Sequence, residues 1–92
     1  MRQVLFYKGA AEALAALDKR AARRIAAKLE WLAGHPDAES VTARIENPPE
    51  ALAGIRRLRV GDYRVILWLD EEAVTVYAVG HRGDVYEILK RK

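Results

Sequence analysis

Three β-rich segments with very short breaks between them fill most of the second half of the chain, and they restrict its fold more than any other feature. The predicted strands run from Ile55 to Val60, from Tyr63 to Leu69 and from Ala73 to Val79. Only Gly61-Asp62 separates the first two, and Asp70-Glu71-Glu72 separates the second from the third. Connections this short join antiparallel neighbours, because a parallel pair needs a crossover of about a dozen residues or more. The segments therefore predict an antiparallel meander.

The first half of the chain predicts one strand and a helical hairpin. Val4 to Tyr7 is β-rich, Gly9 ends this strand, and the alanine-rich stretch from Ala10 to Leu17 is helical. Asp18 is placed as the N-cap of a second, longer helix, in which apolar residues recur at spacings of three and four until Gly34 stops it. We expect the first strand at an edge of the sheet and both helices across one face.

The remaining segments complete a single α+β domain over residues 1–92. His35 to Ala53 holds all three prolines and no sustained period, so it predicts a loop with a helical turn near Glu50-Ala51-Leu52. A short C-terminal helix is predicted from about Asp84. The element order is thus β-α-α-β-β-β, an antiparallel sheet packed against a helical hairpin, with the short helix at the end.

The composition narrows the class of protein. With 51% hydrophobic and 32% charged residues the chain is expected to be globular rather than disordered. No apolar run approaches the roughly 20 residues of a membrane span, and the N-terminus lacks the apolar stretch of a secretory signal. The absence of cysteine excludes disulfides, thiolate catalysis and cysteine metal sites. We expect a cytoplasmic protein that does not contact a membrane.

Arginines interrupt the predicted strands, and they carry the strongest functional signal. Segment 54–69 holds Arg56, Arg57, Arg59 and Arg64 but only one acidic residue, Asp62. A guanidinium group stays protonated even where it is buried, so a cluster of them indicates a binding site for anionic oxygens. Phosphate is the leading candidate for the bound group. The net charge is only +3, but the positive charge lies mainly in the second half, as a polyanion-binding surface requires.

Strand alternation sorts these arginines, because residues two apart share a face. Arg57 and Arg59 point to one face of their strand, whereas Arg56 points to the other and is expected to be structural. On the next strand, Arg64 shares its face with Ile66 and Trp68. If the register brings Arg64 alongside Arg57 and Arg59, three guanidinium groups line one surface. Arg82, at the end of the last strand, can then close that surface.

The two strings that carry these arginines also resemble a known family. They are Leu58-Arg59-Val60-Gly61-Asp62-Tyr63-Arg64-Val65 and Val79-Gly80-His81-Arg82-Gly83-Asp84-Val85-Tyr86. At this spacing they closely resemble the RelE branch of the RelE/ParE toxin superfamily, and the likeness covers nearly the whole chain. The resemblance implies the toxin of a type II toxin–antitoxin system. In that branch the toxin is a ribosome-dependent endoribonuclease that enters the A site and cuts the mRNA codon there.

The resemblance also implies the chemistry. Family members use no metal and no other cofactor, and this sequence offers no convincing cluster of metal ligands, since His35 and His81 are far apart. The ribose 2′-hydroxyl attacks the adjacent phosphate and leaves a 2′,3′-cyclic phosphate and a 5′-hydroxyl. This reaction needs a base for the 2′-hydroxyl, cations for the phosphorane, and help for the leaving oxygen.

The family's site residues are carried over position by position. Arg64 matches the arginine that clamps the scissile phosphate, and Arg82 matches the arginine near the leaving group. Tyr86 matches the tyrosine that stacks on or orients the nucleotide, although its connection to Arg82 is shorter than in some relatives. Arg57 and Arg59 match basic positions on the preceding strand that bind RNA phosphate.

This sequence departs from the family pattern at the expected base. The better-studied relatives have lysines on the strand where this chain has Arg57 and Ile55. Arginine stays protonated and can only donate, so it does not replace a lysine that acts as a base. His81 is the candidate to fill that role, because imidazole titrates near neutral pH and Arg82 next to it would favour the neutral form. The alternative is that the ribosome and the geometry do most of the work.

Two other functions stay open. The ParE branch shares the fold but inhibits DNA gyrase without cutting RNA, and the loss of the lysines favours that interpretation. Arg64, Arg82 and Tyr86 together favour the nuclease. The third possibility is a decayed toxin that retains only antitoxin binding and operator-DNA regulation.

A protein partner is expected in each case. The resemblance implies a cognate RelB-like antitoxin, acidic and partly disordered, that wraps the toxin and folds as it binds. The ribosome with mRNA in its A site is the second expected partner. The toxin–antitoxin complex is also expected to bind operator DNA.

Overall fold

The computed structural model describes the backbone of residues 1–90 and their side chains, apart from those of Tyr86, Ile88 and Lys90. Five strands form one sheet, and three α-helices pack on it. The strands are β1 (Gln3–Phe6), β2 (Ala43–Arg44), β3 (Arg56–Val60), β4 (Tyr63–Leu69) and β5 (Ala73–His81). The helices are α1 (Lys8–Ala16), α2 (Lys19–Ala33) and α3 (Arg82–Lys90), and two 3₁₀ turns cover Ala38–Val41 and Glu50–Leu52.

The strand order in the sheet is β1-β5-β4-β3-β2. The meander β3-β4-β5 is antiparallel throughout, and β1 lies at an edge, so the predicted α+β class and the edge position are confirmed. The sheet is nevertheless mixed, because β1 runs parallel to β5. The predicted all-antiparallel sheet therefore needs this correction. The direction of β1 depends on how α1 and α2 carry the chain across the sheet, which its own pattern does not reveal.

Several boundaries differ from the predicted ones. α1 begins at Lys8, so Gly9 lies in its first turn instead of ending the strand. α3 begins at Arg82 rather than near Asp84, directly after β5. The predicted loop contains β2, a two-residue strand too short to produce a hydrophobic period. It pairs with Arg56 and Arg57 at the outer edge of β3. The helical turn at Glu50–Leu52 is confirmed.

The apolar core is divided between the two faces of the sheet. On the α1–α2 face, Ile25, Leu29 and Leu32 of α2 pack against Leu58, Val65 and Leu67 of the sheet. On the opposite face, called the α3 face here, Val85 and Leu89 of α3 cover a smaller cluster with Ile55, Ile66 and Ala78. Consecutive residues of β4 thus belong to different clusters, as strand alternation requires. Within residues 1–90, no helix is long and apolar enough to cross a membrane.

A β-bulge in β5 changes which side chains reach each face. Ile66 pairs with Ala78 and Leu67 with Val76, so Tyr77 is an extra residue without a partner on β4. Tyr77 and Ala78 therefore both lie on the α3 face, where Tyr77 meets Trp68 at a ring-centroid distance of 5.7 Å. The alternation of β5 is inverted from this point to its end.

Candidate active site

The β3–β4 hairpin places two arginines directly opposite each other. Its two-residue turn, Gly61-Asp62, sets a register in which Arg59 pairs with Arg64 and Arg57 pairs with Ile66. All three arginines therefore lie on the α3 face, as the alternation predicted. Like charges at directly opposed positions destabilise a sheet. The arrangement is understandable if the pair binds a shared anion, which removes that repulsion.

Arg64 is the most buried of these cations, with only 9% of its surface exposed. Its Nη1 donates to the carbonyl oxygens of Gly61 and Tyr63, each at 2.9 Å. These bonds fix the guanidinium group against the turn while its charge is kept. Within the described part of the chain it has no carboxylate partner, so an incoming anion has no internal competitor.

The turn itself needs glycine at its first position. Gly61 has φ of +60°, a left-handed conformation that suits the first position of a type II′ hairpin turn. A Cβ at this residue would also lie 2.8 Å from Nη2 of Arg24, which reaches the turn from α2. No residue pattern predicts that Arg24 lies here, because the contact depends on how α2 packs over the sheet. Arg24 is thus a cation at this turn that sequence reasoning missed.

Arg82 begins α3 beside the same turn. Its backbone N–H donates to the carbonyl oxygen of Asp62 at 2.9 Å, and its side chain is exposed. The N-terminus of a helix carries partial positive charge and favours anions. Arg59, Arg64 and the first residue of α3 therefore all adjoin one short turn. Together they make a positively charged end of the α3 face.

The other two strand arginines lie deeper along β3. Arg57 is half-buried, between Ala43 of β2 and Ile66 of β4. Arg56 is a structural residue, as expected: its guanidinium donates to the Thr42 hydroxyl at 2.6 Å and to the Glu39 carbonyl at 3.1 Å. It fastens the 3₁₀ turn to the sheet.

His81 lies on the other face of the sheet from Arg64. It pairs with Tyr63, and the two rings meet edge-on at a centroid distance of 5.9 Å. Tyr63 packs against the α1–α2 cluster, whereas Arg64 is paired with Gly80. The structure thus brings Arg59 and Arg64 together but does not bring His81 to them. The predicted site residue Tyr86 lies in α3, and its side chain is outside the described residues.

Ile55 replaces the second lysine of the family pattern as a core residue. It is 1% exposed and belongs to the cluster under α3. β3 and the residue before it therefore contain no lysine that could act as a base. Among residues 1–90, no three His, Asp or Glu side chains are grouped so that they could hold a metal ion.

Comparison with known proteins identifies the family. Residues 4–86 match the family described as the ParE toxin of the type II toxin–antitoxin system parDE. This match includes both strings that carry the arginines. Comparison with curated proteins finds no significantly similar sequence.

Several solved structures with a similar fold contain RelE toxins. The RelB–RelE antitoxin–toxin complex from Methanococcus jannaschii matches with a TM-score of 0.68 and 20% identity, over 91% of this chain and 96% of that chain. The toxin–antitoxin complex RelBE2 from Mycobacterium tuberculosis matches with a TM-score of 0.62 and 26% identity, over 88% and 98%. A double mutant of the E. coli toxin RelE in the free state matches with a TM-score of 0.63 and 23% identity, over 96% and 93%.

These comparisons confirm the predicted superfamily and the RelE-like fold. The family matched by sequence is described as ParE, while the similar structures contain RelE toxins. Both results agree that the chain is a member of the RelE/ParE superfamily. The chain belongs to the ParE toxin family of type II toxin–antitoxin systems and has the fold of the RelE toxins.

Proposed function

We propose that this toxin is a metal-independent endoribonuclease that cuts mRNA in the ribosomal A site. The observation that carries the proposal is the pairing of Arg59 with Arg64 beside the turn to which the first residue of α3 is bonded. Two guanidinium groups held against each other favour a bound anion over a neutral partner surface. A phosphate in transfer is such an anion, because negative charge accumulates on its oxygens in the transition state.

The arginines divide the reaction between them. Arg64, fixed by two carbonyl groups, clamps the scissile phosphate, and Arg59 contributes a second cation from the opposite strand. Arg82 stabilises the charge on the leaving 5′-oxygen, and Arg57 supports the RNA backbone further along β3. Tyr86 orients the nucleotide. Pre-positioned cations of this kind lower the barrier because they need no reorganisation when the charge develops.

The 2′-hydroxyl is activated without a dedicated base from this chain. His81 points to the α1–α2 face, and Ile55 fills the place of a lysine. Both observations favour the alternative in which the ribosome aligns the 2′-hydroxyl with the phosphate and the arginines stabilise the phosphorane. This toxin should therefore cut free RNA only weakly. Its proposed site of action is the cytoplasm, where the ribosomes are.

The first test is primer extension on a defined mRNA held in purified ribosomes with an empty A site. Wild type, Arg82→Ala and His81→Ala are compared, with Arg23→Ala as an exposed control of equal charge on α2. We expect cuts within the A-site codon from wild type, His81→Ala and Arg23→Ala, and a loss of about 10²–10³-fold with Arg82→Ala. Absence of wild-type cleavage, with translation intact, would refute the proposal.

Gyrase inhibition is the second candidate, and the ParE family match favours it. The double change Arg64→Ala with Arg82→Ala separates the two functions in living cells. It should abolish growth arrest if the toxin is a nuclease and leave it largely intact if the toxin binds gyrase. A supercoiling assay with purified gyrase provides the direct counterpart. A chain inactive in both assays would be a decayed toxin that retains only its antitoxin and operator-DNA interactions.

The proposed protein partner is a small acidic antitoxin, partly disordered before it binds. The support is the net charge of +3 together with the toxin–antitoxin complexes from Methanococcus jannaschii and Mycobacterium tuberculosis that are similar to this chain. Purification from the native host should recover a small acidic companion, and the pair should retard its own operator DNA in a mobility-shift assay. Recovery of the toxin alone would contradict this part of the proposal.

A further inference from the structure

A groove lies between α2 and the outer edge of β3, beside the residues proposed for catalysis and sharing Arg57 and Arg59 with them. Two adjoining cavities form it, with volumes of about 380 Å³ and 450 Å³. They share Lys28 and Trp31 of α2 and Arg59 of β3. Ligand pockets in proteins begin at about this size, roughly 300 Å³. The groove is open at this edge because β2 pairs only with Arg56 and Arg57 and leaves the rest of β3 uncovered.

The groove is positively charged along its length. Arg24 and Lys28 line it from α2, and Arg57 and Arg59 line it along the edge of β3, from which their side chains turn to the α3 face; no acidic side chain is among the lining residues. Arg24 and Arg59 are exposed. An extended polyanion is the ligand that such a row of cations attracts, and surface charge of one sign focuses it there.

Trp31 gives the groove a surface for stacking. This side chain is 44% exposed, although it is large and apolar. The Lys28 ammonium lies 4.1 Å from the centroid of its ring, and His35 meets the ring edge-on at 4.9 Å. Stacking of a nucleobase on an aromatic ring is generally stronger than an exposed cation–π contact. A base can thus take the place of the ammonium group, which then pairs with the phosphate next to that base.

The groove is continuous with the candidate active site through Arg59 and the β3–β4 turn. Arg59 lines the groove and is paired with Arg64 on the α3 face. Arg24 reaches the same turn, at Gly61, from the side of α2. An extended polyanion clamped at Arg64 can therefore pass over the open edge of β3 into the groove and stay next to positively charged residues.

We propose that this groove binds the single-stranded RNA that flanks the cleaved phosphate, with a base stacked on Trp31 and the backbone held by Arg24, Lys28 and Arg59. The inference rests on the proposed function in taking RNA as the substrate. Cations interleaved with an exposed aromatic ring are the arrangement that binds single strands with little sequence preference. An acidic peptide would use the cations but has no matching use for the ring.

The test measures binding separately from cleavage. A fluorescently labelled 2′-O-methyl RNA of about ten nucleotides lacks the attacking hydroxyl, and its anisotropy reports binding to the full chain. We expect Trp31→Ala to weaken binding about tenfold and Trp31→Phe to retain most of it, because a phenyl ring still stacks. Arg24→Ala and Lys28→Ala should each reduce the slope of log K against log salt by about 0.7. Lys19→Ala removes an exposed cation from the side of α2 opposite to Lys28 and should bind like wild type. Circular dichroism confirms that each variant is folded.

Two results would overturn the inference. One is that wild type and Trp31→Ala bind the RNA equally well, or that neither binds it. The other is a polyglutamate peptide of equal charge that binds more tightly than the RNA and depends on Trp31, which would assign the groove to an acidic protein. The ribosome assay gives an independent result. A-site cleavage that does not need Trp31 leaves the proposed nuclease intact, whereas Trp31-dependent RNA binding without cleavage removes the nuclease but keeps the groove.

Discussion

Neighbouring arginines of β3 have different tasks, although they are the same residue type. Arg56 uses its guanidinium to hold the segment that contains Glu39 and Thr42. Arg59 is exposed, stands opposite Arg64 and makes no ion pair within the described residues. Removal of the first therefore breaks internal hydrogen bonds, while removal of the second relieves a repulsion. Replacing Arg56 should therefore reduce stability and leave activity, whereas replacing Arg59 should reduce activity and leave stability.

This difference gives a paired prediction. Arg56→Ala should lower the free energy of unfolding by about 1–3 kcal/mol, because the partly buried hydroxyl and carbonyl groups of Thr42 lose a charged donor. Its cleavage per folded molecule should stay near wild type. Arg59→Ala should change stability by no more than about 0.5 kcal/mol and reduce A-site cleavage by about 10²-fold or more. Urea unfolding and the ribosome assay measure the two quantities. An Arg59→Ala protein that cleaves normally would remove Arg59 from the site.

The position of His81 could not be predicted from the sequence, whereas those of Arg59 and Arg64 could. Arg59 and Arg64 could be placed on one face because alternation and a two-residue turn determine their register. His81 follows the bulge at Tyr77, and one extra residue inverts the alternation of the strand after it. Regular alternation from Thr75 would put His81 on the face of Arg64. Nothing in the residue pattern of β5 announces the bulge.

The β3–β4 turn is the element on which the candidate site depends. Gly61→Ala is unfavourable there because residues with a Cβ rarely adopt a φ of +60°; the Arg24 guanidinium, 2.8 Å from the added Cβ, ends a flexible and exposed side chain and can move away. We expect a loss of about 1–2 kcal/mol in stability. Gly9→Ala is the control, because its Cβ meets nothing within 4 Å and it lies in α1. That change should stabilise the protein by about 0.5–1 kcal/mol. Thermal melts of both variants measure these changes in stability. A Gly61→Ala protein as stable as wild type would contradict the turn geometry.

The start of α2 was correctly predicted because its signal is local. Asp18 Oδ1 accepts the backbone N–H of Ala21 at 2.9 Å, as an N-cap requires. Asp18→Ala should therefore lower the free energy of unfolding by about 1 kcal/mol. Asp18→Asn should keep most of that stability, since the amide oxygen accepts the same hydrogen bond. Guanidinium unfolding curves compare the three proteins. Equal losses for Ala and Asn would show that charge, rather than the cap, matters. The two-residue strand β2 gave no such local signal.

At the scale of the whole molecule, β4 joins the two apolar clusters. Val65 and Leu67 belong to the cluster under α1 and α2, and Ile66 between them belongs to the cluster under α3. Because both clusters contain residues of β4, unfolding of one cluster removes β4 from the other. The second cluster is small and depends on α3 to exclude water from Ile66. A fold built this way should unfold as one cooperative unit, as most small domains do.

The two tryptophans make this cooperativity measurable. Trp31 is on α2, and Trp68 packs against the α3-side cluster and donates its Nε1–H to the Ala53 carbonyl at 3.0 Å. In single-tryptophan variants, Trp31→Phe and Trp68→Phe, the fluorescence and far-ultraviolet circular dichroism transitions in urea should coincide. Val85→Ala, which opens space beneath α3, should shift all of these transitions together, because Val85 is fully buried beside β4 and β5. If Trp68 fluorescence changed at lower urea than Trp31 fluorescence, α3 and its cluster would be a separate unit. The candidate site could then be disassembled while the rest of the sheet stayed folded.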